Sequence, residues 1–210
     1  MSDTVRLNVV LQLPPEIVEY ALSLSKNLSK RSECYFVLGS SGPYPHITLY
    51  MGVYPERSVS AVLDVVRATA VESAPVACAA IGVDSLWGFV GIKLLLTAEL
   101  RALHTRLLQC LNPLRKGNIF PKYLEPEYQC RFNSARRESV QKYGYPGALE
   151  CFSPHISLTR FKDETLAAEV SRNLKCELKP FTVNALAVYE MGEHGTCTKL
   201  VQKFPLGIGG

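Results

Sequence analysis

The sequence of 210 residues has no C-x-x-C pair, no phosphate-binding loop of the Walker type and no long apolar run. Its seven cysteines are odd in number and scattered, which argues against a zinc ribbon and against a disulfide framework. No segment approaches the roughly 20 apolar residues of a membrane-spanning helix, and the first residues lack the pattern of a secretory signal. We therefore expect a protein that does not contact membranes and works in a reducing, cytoplasmic setting.

Neither sign of charge dominates the sequence, whose net charge is +4. This mild excess suits an anionic ligand, but it describes an ordinary solvated surface equally well. Hydrophobic residues make up 47% of the chain, which is enough for a sizeable core. The length permits one large domain or two small halves.

Two of the four histidines lie in a repeated motif, Pro-His-Ile-(Thr/Ser)-Leu, at residues 45–49 and 154–158. Side chains at i and i+2 of a strand leave the same face. His46 is therefore paired with Thr48, and His155 with Ser157. A lone histidine in an apolar strand is usually a core or edge residue, but two matching copies favour a shared site.

The elements around the two motifs also repeat as strand, helix, motif strand, helix, strand. In the first half they are residues 7–13, 16–28, 46–52, 58–71 and 75–83, with a short strand at 35–38. In the second half they are residues 86–96, 98–111, the motif strand, 163–174 and a hairpin of 181–191 and 196–206. Thr97 is a predicted helix cap, and Pro113 is predicted to end that helix. The repeat predicts a single domain, 1–210, of two pseudo-symmetric lobes, about 1–85 and 86–206.

The second half contains an insertion at about 112–149, rich in cations and aromatic rings. The cations are Arg115, Lys116, Lys122, Arg131, Arg136, Arg137 and Lys142, and the rings are Phe120, Tyr123, Tyr128, Phe132, Tyr143 and Tyr145. Such a mixture suits phosphates and stacked bases. A solvated insertion with short helical pieces is the alternative, and the sequence favours neither.

The motif residues suit the hydrolysis of a phosphodiester, which needs a base, an acid and donors for the nonbridging oxygens. Histidine serves as base or acid near neutrality, and the hydroxyls of Thr48 and Ser157 serve as donors. One imidazole must begin neutral and the other protonated, which predicts a bell-shaped pH profile. The sequence does not say which histidine is the acid. No carboxylate or cysteine lies at ligand spacing near either histidine, so we expect no metal and no cofactor.

Three further residues are secondary candidates for substrate binding. Arg160 follows the second motif and could hold a second phosphate, although pairing with Asp163 or Glu164 is slightly favoured. Tyr44 and Tyr50 flank the first motif and could stack on a base, although an aromatic residue beside a strand is more often in the core.

The remaining two histidines are predicted to lie outside the site. His104 stands in a helix among leucines and is predicted to be structural. His194 stands in a hairpin turn and is predicted to be exposed, with a small chance of reaching a cleft.

With these motifs the chain resembles the two-histidine phosphoesterases, which include bacterial 2′-5′ RNA ligase-like proteins and cyclic nucleotide phosphodiesterases. Their signature is one His-x-(Thr/Ser) pair in each of two lobes, and His46, Thr48, His155 and Ser157 match it. The resemblance implies an α+β fold: a bilobal duplication with two antiparallel-rich sheets facing a central cleft and helices on the outside. It also implies metal-independent cleavage, or reversible joining, of RNA-type phosphodiesters at 2′ oxygens.

The leading hypothesis is a phosphodiesterase that acts on 2′,3′-cyclic phosphate ends, 2′-5′ linkages or small cyclic nucleotides. The expected partners are RNA ends or a small nucleotide substrate, and the expected oligomeric state is a monomer. One alternative is a non-catalytic module that binds RNA ends or nucleotides. Another is an ATP-independent 2′-5′ RNA ligase, since the chain has no nucleotide-activating motif.

Overall fold

The computed structural model describes residues 3–207 and contains ten strands and six α-helices in that range. The strands are β1 (Thr4–Leu11), β2 (Cys34–Val37), β3 (Ile47–Pro55), β4 (Val76–Cys78), β5 (Ala80–Leu86), β6 (Phe89–Leu94), β7 (His155–Phe161), β8 (Phe181–Val183), β9 (Ala185–Met191) and β10 (Cys197–Pro205). The helices are α1 (Pro15–Ser29), α2 (Val59–Val71), α3 (Ala98–Leu111), α4 (Pro126–Gln129), α5 (Ser134–Tyr143) and α6 (Glu164–Asn173). None of these helices, within residues 3–207, has the length and apolar character needed to cross a membrane.

The strands form one large antiparallel sheet of eight and a small sheet of β4 and β8. The large sheet has the order β10-β9-β1-β3-β7-β6-β5, and β2 also pairs with β7. The predicted α+β class is confirmed. The two expected large sheets are, however, two halves of one sheet, joined at the single pair Ile47 and Ile156. The contact is so short because β7 next pairs with β2, which places Val37 opposite Thr159.

Each half of the large sheet takes strands from both halves of the sequence. The late strands β9 and β10 extend the half that contains β1 and β3, whereas the early strand β2 pairs with β7. The predicted boundary near residue 85 therefore divides the chain but does not divide the sheet. Helices α1 and α6 pack against β7 and its neighbours, and α2 and α3 pack against the half that contains β3 and β9.

The helix termini follow local sequence signals. The Thr97 side chain accepts a hydrogen bond of 3.2 Å from the Leu100 amide, which is the predicted cap of α3. The Asp163 carboxylate caps α6 by accepting from the amides of Thr165 and Leu166. α3 ends at Leu111, shortly before Pro113 as predicted, and a 3-10 turn, Asn112–Arg115, follows directly and contains this proline. Proline is tolerated there since the first positions of such a turn need no amide donor.

Both motif strands carry a β-bulge at the same place in the motif. In β3 the register with β1 skips Leu49, and in β7 the register with β6 skips Leu158. One extra residue reverses the alternation of side chains beyond it. Tyr50 therefore faces the hydrophobic core rather than the side of the sheet that carries Thr48.

The insertion folds into short helical segments around a buried arginine. Besides α4 and α5, it contains 3-10 turns at Asn112–Arg115, Pro121–Leu124 and Leu149–Cys151. Arg115 is only 3% exposed, and its guanidinium donates to the backbone carbonyls of Asn118 and Lys142. The short helical pieces match one of the two predicted alternatives.

Candidate active site

A cavity of about 440 Å³ lies over the junction of the two motif strands. His46 and Thr48 from the first motif and His155 and Ser157 from the second all line it. The pairs lie 109 residues apart in the sequence, and the sheet brings them to one surface. The other walls come from the β5–β6 hairpin, the insertion and the β9–β10 turn.

The pairing of β3 with β7 explains why the four side chains converge. Ile47 lies opposite Ile156, and both point into the core. Extending this antiparallel register by one residue in each direction sets His46 opposite Ser157 and Thr48 opposite His155. Opposite residues share a face and have Cα atoms about 4.5–5.5 Å apart. Each imidazole therefore lies beside the hydroxyl of the other motif as well as its own.

Both imidazoles are held in the same way. Nδ1 of His46 lies 2.8 Å from the carbonyl oxygen of Tyr44, and Nδ1 of His155 lies 2.8 Å from that of Ser153. A carbonyl only accepts, so Nδ1 carries a proton and donates in each case. In the neutral ring, Nε2 is then the unprotonated nitrogen and can accept a proton from a reacting group. The backbone contact two residues upstream is part of the repeat.

Burial gives the two histidines lowered pKa values. Desolvation lowers the pKa of His46 to about 4; the Tyr44 carbonyl opposes this shift, and the neighbouring His155 adds to it. Desolvation also lowers the pKa of His155. The Ser153 carbonyl opposes this shift, and the charge of Arg136 lowers the pKa further. His155 is exposed to the cavity, but the cavity walls surround the ring and limit its hydration. Both rings are therefore mainly neutral at neutral pH without a ligand.

Asn8 of β1 joins the first pair and was not a predicted site residue. Its side chain is fully buried, and Nδ2 donates to Thr48 Oγ1 at 3.0 Å and lies 3.4 Å from His46 Nε2. Since Thr48 accepts from Asn8, the hydroxyl proton of Thr48 is available to a ligand. The signal in the sequence was an amide near the start of the predicted apolar strand Leu7–Leu13, which also contains Gln12.

The two tyrosines that flank the first motif do not line the cavity. Tyr50 is fully buried, its hydroxyl donates to the Tyr143 carbonyl at 2.7 Å, and burial raises its pKa to about 12. Tyr44 packs its ring against Tyr189, with ring centroids 5.5 Å apart, and supplies only its carbonyl to His46. The predicted stacking of these rings on a base has no support in their positions.

Arg160 is not at the cavity wall and pairs with neither Asp163 nor Glu164. Its guanidinium is buried, donates to the Trp87 carbonyl at 3.1 Å and lies 3.2 Å from His194 Nδ1. The bulge at Leu158 reverses the alternation of side chains beyond Ser157, and Arg160 consequently lies among aromatic rings. Its position therefore supports neither predicted role.

His194 and His104 differ in how well they follow prediction. His194 lines the cavity and packs at a tilt against Tyr35, with ring centroids 4.7 Å apart, so the β9–β10 turn reaches the cavity. His104 is buried and structural, as predicted. Its Nδ1 donates to the Leu49 carbonyl, and its Nε2 accepts from the Leu149 amide at 2.9 Å.

The insertion forms one wall of the cavity, a role that the sequence alone did not decide. Its cavity-lining side chains combine aromatic rings with two cations: Phe120, Lys122, Tyr123, Tyr128, Phe132, Arg136 and Tyr145. On the opposite side, Lys93 of β6 lies across from His155 and forms an ion pair of 3.6 Å with Asp84. Gly91 lies across from Ser157, and the absence of a side chain there leaves this hydroxyl accessible.

The charged and sulfur-bearing side chains show no metal-binding arrangement within the described part of the chain. Across residues 3–207, no group of three or more His, Cys, Asp or Glu side chains is placed to hold a metal ion. The cavity groups that can contact an anion are imidazoles, hydroxyls and cations.

Comparison with known proteins places this architecture among solved structures. LigT of E. coli, solved in complex with ATP, is 13% identical with a TM-score of 0.62 over 98% of this chain and 99% of that chain. TT0787 of Thermus thermophilus is 19% identical with a TM-score of 0.57 over 97% of this chain and 99% of that chain. A structure titled only as a phosphoesterase is 14% identical with a TM-score of 0.54 over 98% and 99% of the two chains.

The sequence itself matches one family model over most of its length. No curated protein matches it significantly. The family described as "Protein of unknown function (DUF1045)" matches residues 51–195, a range that contains the second motif and most of β3. The chain thus has the fold of the two-histidine phosphoesterases and is a member of the DUF1045 family.

Proposed function

We propose that the protein is a metal-independent phosphodiesterase for RNA-type phosphodiesters, in which two histidines act as general base and general acid. The observation that carries this proposal is the convergence of His46, Thr48, His155 and Ser157 on one cavity, with both Nδ1 atoms tied to backbone carbonyls. This arrangement offers two Nε2 atoms for proton transfer and two hydroxyls for the nonbridging oxygens.

His46 is proposed as the general base and His155 as the general acid. The pKa of His46, about 4, keeps its ring neutral and able to accept a proton from the attacking water. The positive charge of Arg136 contributes to the lowered pKa of His155, so a bound anionic phosphate that offsets this charge favours protonation of the His155 ring. Water attacks phosphorus, His46 Nε2 takes a proton from it, and His155 Nε2 gives a proton to the leaving ribose oxygen. Thr48 and Ser157 donate to the nonbridging oxygens as charge grows on them.

The proposed substrates are 2′,3′-cyclic phosphate ends, 2′-5′ linkages or small cyclic nucleotides. Structures of LigT, which has the same fold, were solved in complexes with 3′-AMP, ATP, NADP+ and phosphate. A nucleotide-sized ligand also suits a cavity of about 440 Å³ lined by rings and cations. These points support a nucleotide substrate for this chain.

The test is cleavage of these substrates by the full chain in the presence of EDTA. Substituting His46→Gln or His155→Gln should lower the rate by roughly 10²–10⁴-fold, the usual worth of general acid–base catalysis. Thr48→Val removes one donor and should cost about 10-fold or more.

The matched control for Thr48→Val is Thr182→Val on β8, which is exposed and outside the cavity. It should leave the rate unchanged, and circular dichroism should show that all variants are folded. A His155→Gln variant with the full rate would exclude the two-histidine mechanism. Binding without turnover across the substrate panel would favour the non-catalytic module instead.

A further inference from the structure

The insertion brings one cation, Arg136, to the cavity wall on the side of His155. Arg136 lies in the first turn of α5, is half-buried and lines the cavity. Arg136 and His155 line the same cavity, and the positive charge of Arg136 contributes to the lowered pKa of His155. The side chain is therefore placed to act on whatever occupies the space beside this imidazole.

The guanidinium of Arg136 has unused hydrogen-bonding capacity. Among residues 3–207, no carboxylate lies within the 4.0 Å of an ion pair with it, whereas Arg131 of the same insertion pairs with Glu127 and Glu164. Its only side-chain hydrogen bond to the described protein is a long one, 3.4 Å, from Nη1 to the Pro146 carbonyl. A guanidinium has five N–H donors, so most of them remain available to a ligand.

Trp87 holds this guanidinium from the opposite hairpin. The Arg136 guanidinium carbon lies 5.4 Å from the centre of the Trp87 ring, and Phe132 packs against the same ring at 5.5 Å. Trp87 has a φ of 53° in the β5–β6 turn, and Gly88 follows with a φ of 83°. This conformation usually selects Asn, Asp or Gly and disfavours a bulky residue. The backbone of this turn is therefore strained at Trp87, and the strained conformation places the indole at the cavity.

The position of Arg136 on its helix is also unfavourable. A cation in the first turn opposes the helix dipole, although Asn133 caps the same turn by accepting from the Arg136 amide at 2.9 Å. Departures from local preference that coincide in one place are typical of functional sites. Trp87 and Arg136 are two such departures in direct contact.

We propose that Arg136 is an anion-binding residue of the site, which donates hydrogen bonds to a phosphate oxygen of the substrate beside His155. The inference rests on the proposed function, since it assumes that the phosphate lies between the two motif strands. A planar guanidinium matches two phosphate oxygens at once. Binding neutralises the charge of Arg136, and this raises the pKa of His155. Arg136 thereby couples the arrival of the phosphate to protonation of the general acid.

The experiment titrates the full chain with inorganic phosphate and follows affinity by calorimetry and the His155 C2–H signal by NMR. In the wild type, phosphate should bind and raise the pKa of His155. In Arg136→Gln, affinity should fall about 10- to 100-fold, the effect of losing a charge-assisted pair of hydrogen bonds. The pKa of His155 without ligand should also be higher in this variant, which a merely structural role would not produce.

Arg137→Gln is the matched control, because Arg137 is exposed on the same helix, is not among the cavity-lining residues and donates from Nη1 to the Gln129 carbonyl. It should behave as the wild type. If Arg136→Gln does not fold, Arg136→Lys keeps the charge without the planar fork and should bind phosphate several-fold more weakly. Unchanged affinity in the folded variant, equal loss in Arg137→Gln, or no phosphate binding by the wild type would overturn the assignment.

Kinetics separate this inference from the proposed function. Phosphate binding that depends on Arg136, in a protein that cleaves no diester, would leave the assignment standing and remove the hydrolysis. Diester cleavage that is unaffected by Arg136→Gln would leave the hydrolysis standing and overturn the assignment of Arg136.

Discussion

At the scale of single residues, the two motifs are alike in sequence but differ in their surroundings. The side chain of Asn8 contacts both His46 and Thr48, whereas the corresponding position beside the second motif is an aromatic residue, Phe89. His155 instead interacts with charged neighbours, Arg136 and Asp84. Two imidazoles with equal intrinsic properties thus have different neighbours, and such a difference in environment is what a division into base and acid requires.

The pH dependence of kcat/KM follows from this division. His46 must be neutral, which holds above about pH 4, and His155 must be protonated, which holds below a pKa that is itself below 6.5. The profile of kcat/KM, which reports the free enzyme, should therefore be a bell with its maximum on the acidic side of pH 6.5. A steady-state pH series on a cyclic phosphate substrate measures it. A maximum above pH 7 would contradict the assignment of these pKa values to the catalytic pair.

Asn8 should tune the acidic limb of that bell. In Asn8→Asp, a carboxylate replaces the amide beside His46 and favours the imidazolium, so the pKa of His46 should rise. The acidic limb should move to higher pH, while the alkaline limb, set by His155, should move much less. Asn8→Ala serves as the control, because it removes the contact without adding charge. Equal displacement of both limbs in Asn8→Asp would show that Asn8 does not act on His46 selectively.

The sequence allowed the motif residues to be predicted but not the roles of their neighbours. A repeated His-x-(Thr/Ser) pair is visible as a pattern, because its chemistry requires fixed residue types at a fixed spacing. Tyr50 lies two residues beyond Thr48 and would share its face in a regular strand. The bulge at Leu49 is the reason why Tyr50 does not lie at the site as predicted. Asn8 was detectable only as a polar residue in an apolar strand, which by itself does not indicate its partner.

At the scale of elements, the two β-bulges shape the site. A bulge leaves the backbone groups of the extra residue outside the ladder. His104 of α3 compensates for this in the first motif, since its Nδ1 donates to the Leu49 carbonyl and its Nε2 accepts from the Leu149 amide. The imidazole ring also stacks on Phe152, with centroids 3.9 Å apart. One histidine therefore links β3, α3 and the segment that leads into the second motif.

His104→Leu should lower the free energy of unfolding by about 3 kcal/mol, because two buried backbone groups lose their partner. Urea unfolding followed by circular dichroism measures the change. Cys110→Ala, an exposed position on the same helix, is the control and should stay within about 0.5 kcal/mol of the wild type. A wild-type midpoint in His104→Leu would mean that neither backbone group depends on the imidazole.

The elements themselves were largely predictable, in contrast to their irregularities. Apolar periodicity and caps located α1, α2, α3 and α6 to within a residue or two of their ends. The single strand expected at residues 86–96 is instead the end of β5, a turn and β6, since Trp87 and Gly88 form the turn. The glycines of this segment are turn signals, but a tryptophan is not, so the residue pattern did not locate the turn at Trp87 and Gly88.

At the scale of the whole molecule, the sheet explains why a repeated sequence gives one shared site. The halves exchange strands, with β2 joining β7 and the terminal hairpin β9–β10 joining β1. The exchange could not be read from the repeat, because strand order depends on contacts between distant segments. Its result is that the junction of β3 and β7 is covered on both sides. The insertion and the β9–β10 turn close the cavity above this junction.

The same enclosure affects stability, because all four histidines have pKa values lowered primarily by desolvation. Below pH 6.5 the unfolded chain binds more protons at these sites than the folded chain does, and for His46 this difference persists down to about pH 4. The free energy of unfolding must therefore decrease as the pH falls through this window. For His46 alone, the decrease between pH 7 and pH 5 is up to about 2 kcal/mol.

Denaturant unfolding at intervals from pH 7 to pH 5 tests this prediction, since most carboxylates titrate below that range. His46→Gln removes one titrating group and should flatten the decrease by up to about 2 kcal/mol relative to the wild type. Exposed-site variants such as Thr182→Val should keep the wild-type slope. Stability that is constant from pH 7 to pH 5 would show that the histidines are hydrated in the folded state. The cavity would then be too open to give its two imidazoles the lowered pKa values on which their proposed roles depend.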